Sequence, residues 1–362
     1  MPDGFRNRPP RPDRSPRSDR SRRSDRSRRS GRRSPRRPTA ALLLAAATAL
    51  LPAGTARAAD GDGGFTIEDS RITESSGLAA SRAHPGVYWT HNDQDGPRLF
   101  AVDGRTGKTV ATVTLRGVGT PRDMEAVSVG ADGQVYVGDV GDNLDGSWDH
   151  VWIYRFREPE RLADQTVNAT QYTVKYADGP RNAEALMVHP RTGRVYIASK
   201  NEDGGGLYEG PAKLSAGGVN TFRRIGEVPW VTDGAFSPDG RELVLRSYFS
   251  ARAYEWKDGR LGADRPVSAP FQRQSESVTY TLDGSTLLFG SEGSGSGVAA
   301  VRVERPGGDS AATGKPSGGA AADPEGAGDD GKGGSLTVGA LVLAGIAALW
   351  FGARRSRRRR SG

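Results

Sequence analysis

Apolar and polar positions alternate in short runs along the middle of this chain, and the runs return in one order. A polar or acidic residue precedes a small residue and an apolar strand; a glycine turn and a second apolar strand follow. Copies start at Ser76-Gly77-Leu78, Glu125-Ala126-Val127, Glu184-Ala185-Leu186, Asp233-Gly234-Ala235 and Glu276-Ser277-Val278, at steps of 49, 59, 49 and 43 residues. Strand-like self-similarity at roughly 40 to 50 residues predicts a β-propeller, one copy per blade. The dipeptides Asp132-Gly133, Thr192-Gly193, Asp239-Gly240 and Asp283-Gly284 keep the phase, their glycines falling 7 to 9 residues after the first residue of each copy. Glycine there supplies the positive φ that a tight turn needs.

The first copy shows the whole unit. Leu78 to Ala80, Val87 to Thr90, Leu99 to Val102 and Val110 to Leu115 predict four antiparallel strands joined by turns. The last copy runs short, with Val298 to Val303 as its final clear strand, while Phe65-Thr66-Ile67 precedes the first copy without a unit of its own. The N-terminal strand is therefore expected to complete the last blade, which also hides open sheet edges. The expectation is an all-β, five-bladed propeller. Six blades is the alternative, because the 59-residue second copy has room for more strands.

Composition divides the chain around this domain. Residues 1–59 carry 16 Arg against 4 acidic residues, whereas residues 60–305 carry 27 basic against 34 acidic ones. The domain is therefore mildly acidic, which argues against nucleic acid as a partner. Residues 1–38, rich in Arg and Ser, are expected to be a disordered leader. Residues 39–59, with an apolar run from Ala40 to Leu51 and Ala56-Arg57-Ala58 after it, read as a signal peptide. Residues 306–335 read as a flexible stalk, 336–352 as a single transmembrane helix and 353–362 as a basic cytoplasmic tail. The expectation is a monomer held to the cell membrane by its C-terminal helix, with the propeller outside. The chain has no cysteine, which excludes disulfides and thiol chemistry.

A propeller gathers equivalent positions around one axis, so the first residues of the copies become a ring. Ser76, Glu125, Glu184, Asp233 and Glu276 are the candidate metal ligands. Several carboxylates at one mouth raise each other's pKa unless compensated, and an all-oxygen set suits Ca²⁺. The alternative is a polar ring that only caps turns and backbone amides. A second tier two residues upstream adds Glu74, Asp123, Asn182 and Gln274. The ends of the second strands reach the same mouth and supply His91, Asn92, Asp93, Asp139, Asp142, Asn143, Lys200, Arg246 and Glu292. Together these predict a site for a small-molecule or cell-envelope ligand. A metal-assisted phosphoester hydrolase is the alternative, with Glu184 or Glu125 orienting water and Lys200 or Arg246 balancing charge. A purely structural surface protein is the third reading. No GxSxG, HExxH or P-loop pattern occurs.

The segments SSGLAAS at 75–81, WTHNDQDG at 89–96, DMEAV at 123–127, VGDVGDN at 137–143, NAEAL at 182–186, FSPDG at 236–240 and SESV at 275–278 resemble a family of secreted bacterial propellers, WD40-like or phytase-like. That resemblance implies the fold. The chain is also similar, more distantly, to calcium-dependent apyrases, five-bladed proteins whose central Ca²⁺ is held by Ser and Glu residues opening successive inner strands. Carried over, Ser76, Glu125, Glu184 and Glu276 match in type and Asp233 departs. β-Propeller phytases, six-bladed and more acidic, fit less well.

Overall fold

The computed structural model describes residues 63–304 apart from 145, 202 and 203. The leader, signal peptide, stalk, transmembrane helix and tail expected from the sequence lie outside the described residues. Among the described residues no helix is long and apolar enough to cross a membrane.

The described chain is all β. After β1 (Phe65–Thr66), a first unit holds β2 (Ser75–Ala80), β3 (Val87–Asn92), β4 (Arg98–Asp103) and β5 (Thr109–Arg116). A second holds β6 (Met124–Val129), β7 (Gln134–Asp139), β8 (Val151–Arg157), β9 (Gln165–Asn168) and β10 (Thr170–Tyr176). A third holds β11 (Ala183–Val188), β12 (Val195–Ser199), β13 (Gly205–Glu209) and β14 (Val219–Val228). The fourth is β15 (Asp233–Phe236), β16 (Glu242–Arg246), β17 (Ala251–Lys257) and β18 (Arg260–Val267). Last come β19 (Ser275–Tyr280), β20 (Thr286–Ser291) and β21 (Gly297–Arg302).

Within each unit the strands run antiparallel in sequence order, except where β9 leaves its own unit to join the first. It pairs parallel to β5, Val113 opposite Gln165, so the extra length of the second copy extends a neighbouring sheet. β14 pairs antiparallel with β13 and parallel with β10, which joins the second and third units into one eight-stranded sheet. β1 closes the last unit as the sequence predicts: Phe65 pairs with Val298 and Thr66 with Gly297.

The inner strands pack in a cycle, β2 on β6, β6 on β11, β11 on β15, β15 on β19 and β19 on β2. Each hydrophobic cluster straddles two adjacent units. Trp89 and Leu99 meet Val137 and Tyr154; Ile153 and Val174 meet Leu186 and Phe222. Met187 and Leu207 meet Leu243; Val244 and Ala253 meet Phe289; Leu288 and Val298 meet Ile67 and Phe100. This arrangement explains the burial pattern. Inner strands such as β11 (AEALMV) are covered on both faces and buried throughout, whereas outer β18 is mostly open to solvent. The fold is propeller-like, with the starts of the inner strands at one mouth.

Candidate functional site

A break in register at the start of four inner strands sets the direction of the ring residues. The β2–β3, β6–β7, β11–β12 and β19–β20 pairings each slip there, at Ser75/Leu78, Met124/Ala126, Ala183/Ala185 and Ser275/Ser277. The residue skipped by the ladder, Glu125, Glu184 or Glu276, is the predicted ring residue. An unpaired residue in a bulge is re-aimed out of the pleat, and these three, with Ser76, line a cavity of about 1770 Å³.

β15 has no such break, and Asp233 pairs in register with Arg246. Its carboxylate turns into the wall and accepts from Gly234 N at 2.7 Å and Val278 N at 2.8 Å. Asp233 thus staples the fourth unit to the fifth and is no part of the cavity lining. Burial lifts its pKa well above the usual carboxylate range, against the pull of those two backbone donors.

The carboxylates that converge are Asp93, Asp123 and Glu125, all buried, each with an oxygen within 4.8 Å of the others. Only Glu125 belongs to the predicted ring; Asp93 follows β3 and Asp123 precedes β6. Asp139 fixes the entry to β6 by accepting from Arg122 N (3.1 Å), Asp123 N (2.8 Å) and Tyr154 Oη (2.5 Å). Asn143 Nδ2 donates to Asp123 Oδ2 at 2.6 Å. The backbone of Gly141 lies against the cluster. A Cβ there would stand 2.7 Å from Asp123 Oδ2 and 2.7 Å from Glu125 Oε1. Burial, then the charges of Glu74, Asp123 and Glu292, pushes Asp93 up to about 9. Burial, then Glu184, Asp123 and Asp93, holds Glu125 well above its ordinary range.

Across the cavity the charge is met by the protein itself. Lys200 Nζ donates to Glu184 Oε1 and to Tyr248 Oη, both at 2.8 Å, and lies 4.9 Å from the centre of the Tyr248 ring. Burial works against this ammonium, but Glu184, Tyr248, Glu276 and Glu125 outweigh it and hold its pKa well above the usual lysine range. Glu276 is buried and pushed up to about 8, chiefly by desolvation, with Lys200 opposing and Glu184 and Glu292 adding. Lys200 on Glu184 and the two backbone donors on Asp233 thus meet part of the ring's charge within the protein.

Glu276 has a measurable consequence. The unfolded chain releases this proton near 4.5 and the folded chain holds it to about 8. The folded state binds more protons between those values, so stability falls as pH rises through that window, by up to about 1.4 kcal/mol per pH unit. Glu276→Gln should flatten that decline in urea unfolding measured from pH 5 to 8. An unchanged slope would place the titration elsewhere.

Other predicted residues divide. Asn143, Asn182, Asp93, Lys200 and Glu292 line the cavity. Asn92 braces the chain before β2, accepting from Thr73 N and Glu74 N and donating to Arg71 O. Asp142 holds its own loop through Ser147 and the Trp148 amide, while its backbone N–H donates to Asn182 Oδ1. His91 is fully buried with Nδ1 3.3 Å from Asn92 O, and burial pushes it down to about 4, so it is a neutral packing residue beside Gly77. Glu74 is not in the lining but is the charge nearest in effect to Asp93. Arg246 is buried behind the cavity lining and donates to Ser277 O, Gly290 O and Gln272 Oε1 at 2.6 to 2.7 Å. A role for Arg246 on a ligand is corrected to one in joining two units.

Of the aromatic side of the mouth, the sequence pattern places only Tyr248 there, at the end of a second strand beside Arg246. Trp230, Tyr248, Phe249 and Phe271 form a continuous run of ring contacts, with centroids 5.5, 6.4 and 6.5 Å apart. The signal was present: Trp230 lies three residues before Asp233 and Phe271 five before Glu276, just upstream of the positions assigned to the mouth.

No protein-family model matches the chain, and no curated protein matches it in sequence. Among solved structures, a gluconolactonase from Xanthomonas campestris is 17% identical with a TM-score of 0.40, over 63% of this chain and 73% of that one. A PQQ-bound aldose sugar dehydrogenase from Streptomyces coelicolor is 11% identical with a TM-score of 0.40, over 67% of this chain and 98% of that one. At these values the likeness says nothing of ligand or activity.

Proposed function

We propose that residues 63–304 are a five-bladed propeller acting as a binding module, with a divalent cation of the Ca²⁺ type held at its mouth by Asp93, Asp123 and Glu125. The same reading displays the domain outside the cell on a C-terminal membrane anchor, as the apolar stretches 40–51 and 336–352 suggest.

One observation carries the cation. Glu125 is buried in the cavity wall, and no hydrogen-bond donor among the described residues reaches its carboxyl. A buried polar group without a partner calls for an ion or water. The donor set fits the ion, because carboxylate oxygens converge and the missing side chain of Gly141 leaves their approach open. The bound ion would neutralise the cluster and offer the cavity a Lewis-acidic centre. Binding is favoured over phosphoester hydrolysis because both cations assigned to balance phosphate are engaged, Lys200 by Glu184 and Arg246 by backbone carbonyls.

Thermal unfolding of the full-length chain in calcium and in chelator tests the proposal. Saturation at about 100 times Kd adds about 2.7 kcal/mol, a rise of about 5 to 10 °C for a domain of this size. Because burial and the neighbouring acids raise both Asp93 and Glu125, protons compete with calcium for their carboxylates, and the shift should grow as pH rises. Glu125→Gln should lose most of it. A melting temperature indifferent to calcium at every pH would remove the cation from the account.

A further inference from the structure

We propose that the aromatic wall of the cavity, together with Glu276 in the same lining, receives a lysine or arginine side chain of a polypeptide. This rests on the reading of the domain as a binding module, and not on the cation at Asp93, Asp123 and Glu125.

Phe249 is 63% exposed and Phe271 80% exposed, and the two rings lie nearly parallel at 17°. Contiguous exposed aromatic surface in a cavity marks a binding site. Glu276 gives that surface its chemistry. It is only 7% exposed, lines the same cavity, and accepts no hydrogen bond from any described residue. A buried carboxyl in a cavity that also presents aromatic rings suits an organic cation, which satisfies the carboxyl and lies on a ring face.

The protein already contains one such arrangement. The Lys200 ammonium lies over Tyr248 and bonds Glu184, in the same wall. Lys200 is committed there, and two other basic side chains of the lining have acidic partners, Arg181 in Asp178 and Arg224 in Glu227. Among the described lining residues, Arg273 is the remaining basic side chain, and it is exposed. Lys200 and Arg246 act on Glu276 by charge alone, and none of these cations forms an ion pair or hydrogen bond with it, so its carboxyl and the Phe249–Phe271 pair are open to an incoming charge. The cavity, about 1770 Å³, is larger than the roughly 300–1,000 Å³ of small-molecule sites. An extended peptide fills it better than a free amine.

The test uses the full-length chain and a fluorescein-labelled peptide, Gly-Ser-Lys-Gly-Lys-Ser-Gly, read by anisotropy at about 0.15 M salt to screen loose attraction. Acetylating both lysines should weaken binding at least about tenfold, and so should Phe271→Ala, whose exposed ring can be removed without disturbing the core. Glu276→Gln should weaken it as well. The calcium-induced melting shift of Phe271→Ala should equal that of the parent chain. Peptide binding without any calcium shift would support this inference while overturning the cation reading. Equal binding of the acetylated peptide, no loss in Phe271→Ala, or no peptide binding would overturn it. Binding of cellohexaose in place of the peptide would also overturn it, in favour of a glycan.

Discussion

Gly141→Ala is expected to abolish the calcium-induced rise in melting temperature. The Gly141 Cα faces the carboxylates of Asp123 and Glu125, and a methyl group would come within 2.7 Å of an oxygen on each. Contacts that short force the neighbours to move. Asp123 is poorly free to do so, because Asn143 bonds its side chain and Asp139 its amide. Glu125 would swing away, and the oxygens could no longer share one ion. The backbone of Gly141 needs no special φ, so the variant should fold and the loss should fall on calcium rather than on structure. Circular dichroism with melting curves in calcium and chelator separates the two. A variant that folds and keeps the parent's full shift would argue that the three carboxylates hold no common ion.

Removing the Arg246 guanidinium is expected to produce the largest loss of stability. This side chain is 1% exposed. It donates to two backbone carbonyls and to Gln272, and burial pushes its pKa down to about 10 against the opposing charges of Glu276 and Asp233. Truncation strands those carbonyls and leaves Asp233 and Glu276 without their neighbouring positive charge. Breaking such a buried network costs about 3–5 kcal/mol, or about 6 to 20 °C of melting temperature in a domain of this size. Arg246→Met keeps most of the aliphatic stem and should still lose the greater part, whereas a loss confined to Arg246→Ala would assign the role to packing.

The repeat phase made much of this structure legible. Glycine turns and apolar runs located the inner strands, and the orphan strand at Phe65 announced its pairing with Val298. Ser76, Glu125, Glu184 and Glu276 do share one cavity. Phase says which end of a strand a residue occupies, but not where its side chain points. That depends on a register slip set by the partner strand, present at Glu125 and absent at Asp233. Arg246 misled for the same reason, since its position suited the mouth while its side chain crosses to the next unit. Nor could the motif show that Lys200 would reach Glu184, a contact made by a long side chain from the neighbouring strand. The second copy's surplus residues raised the question of a sixth unit. They form β9, which pairs parallel with a strand of the first unit, and no local pattern encodes such a long-range partner.

The most direct measurement is a high-resolution crystal structure of the protein grown with calcium, with anomalous data collected to identify the ion. One peak is expected in contact with carboxylate oxygens of Asp93, Asp123 and Glu125, with ligand distances of about 2.3–2.6 Å. Density for water alone among these oxygens, or an ion bound instead between Glu184 and Glu276 with Lys200 displaced, would contradict this.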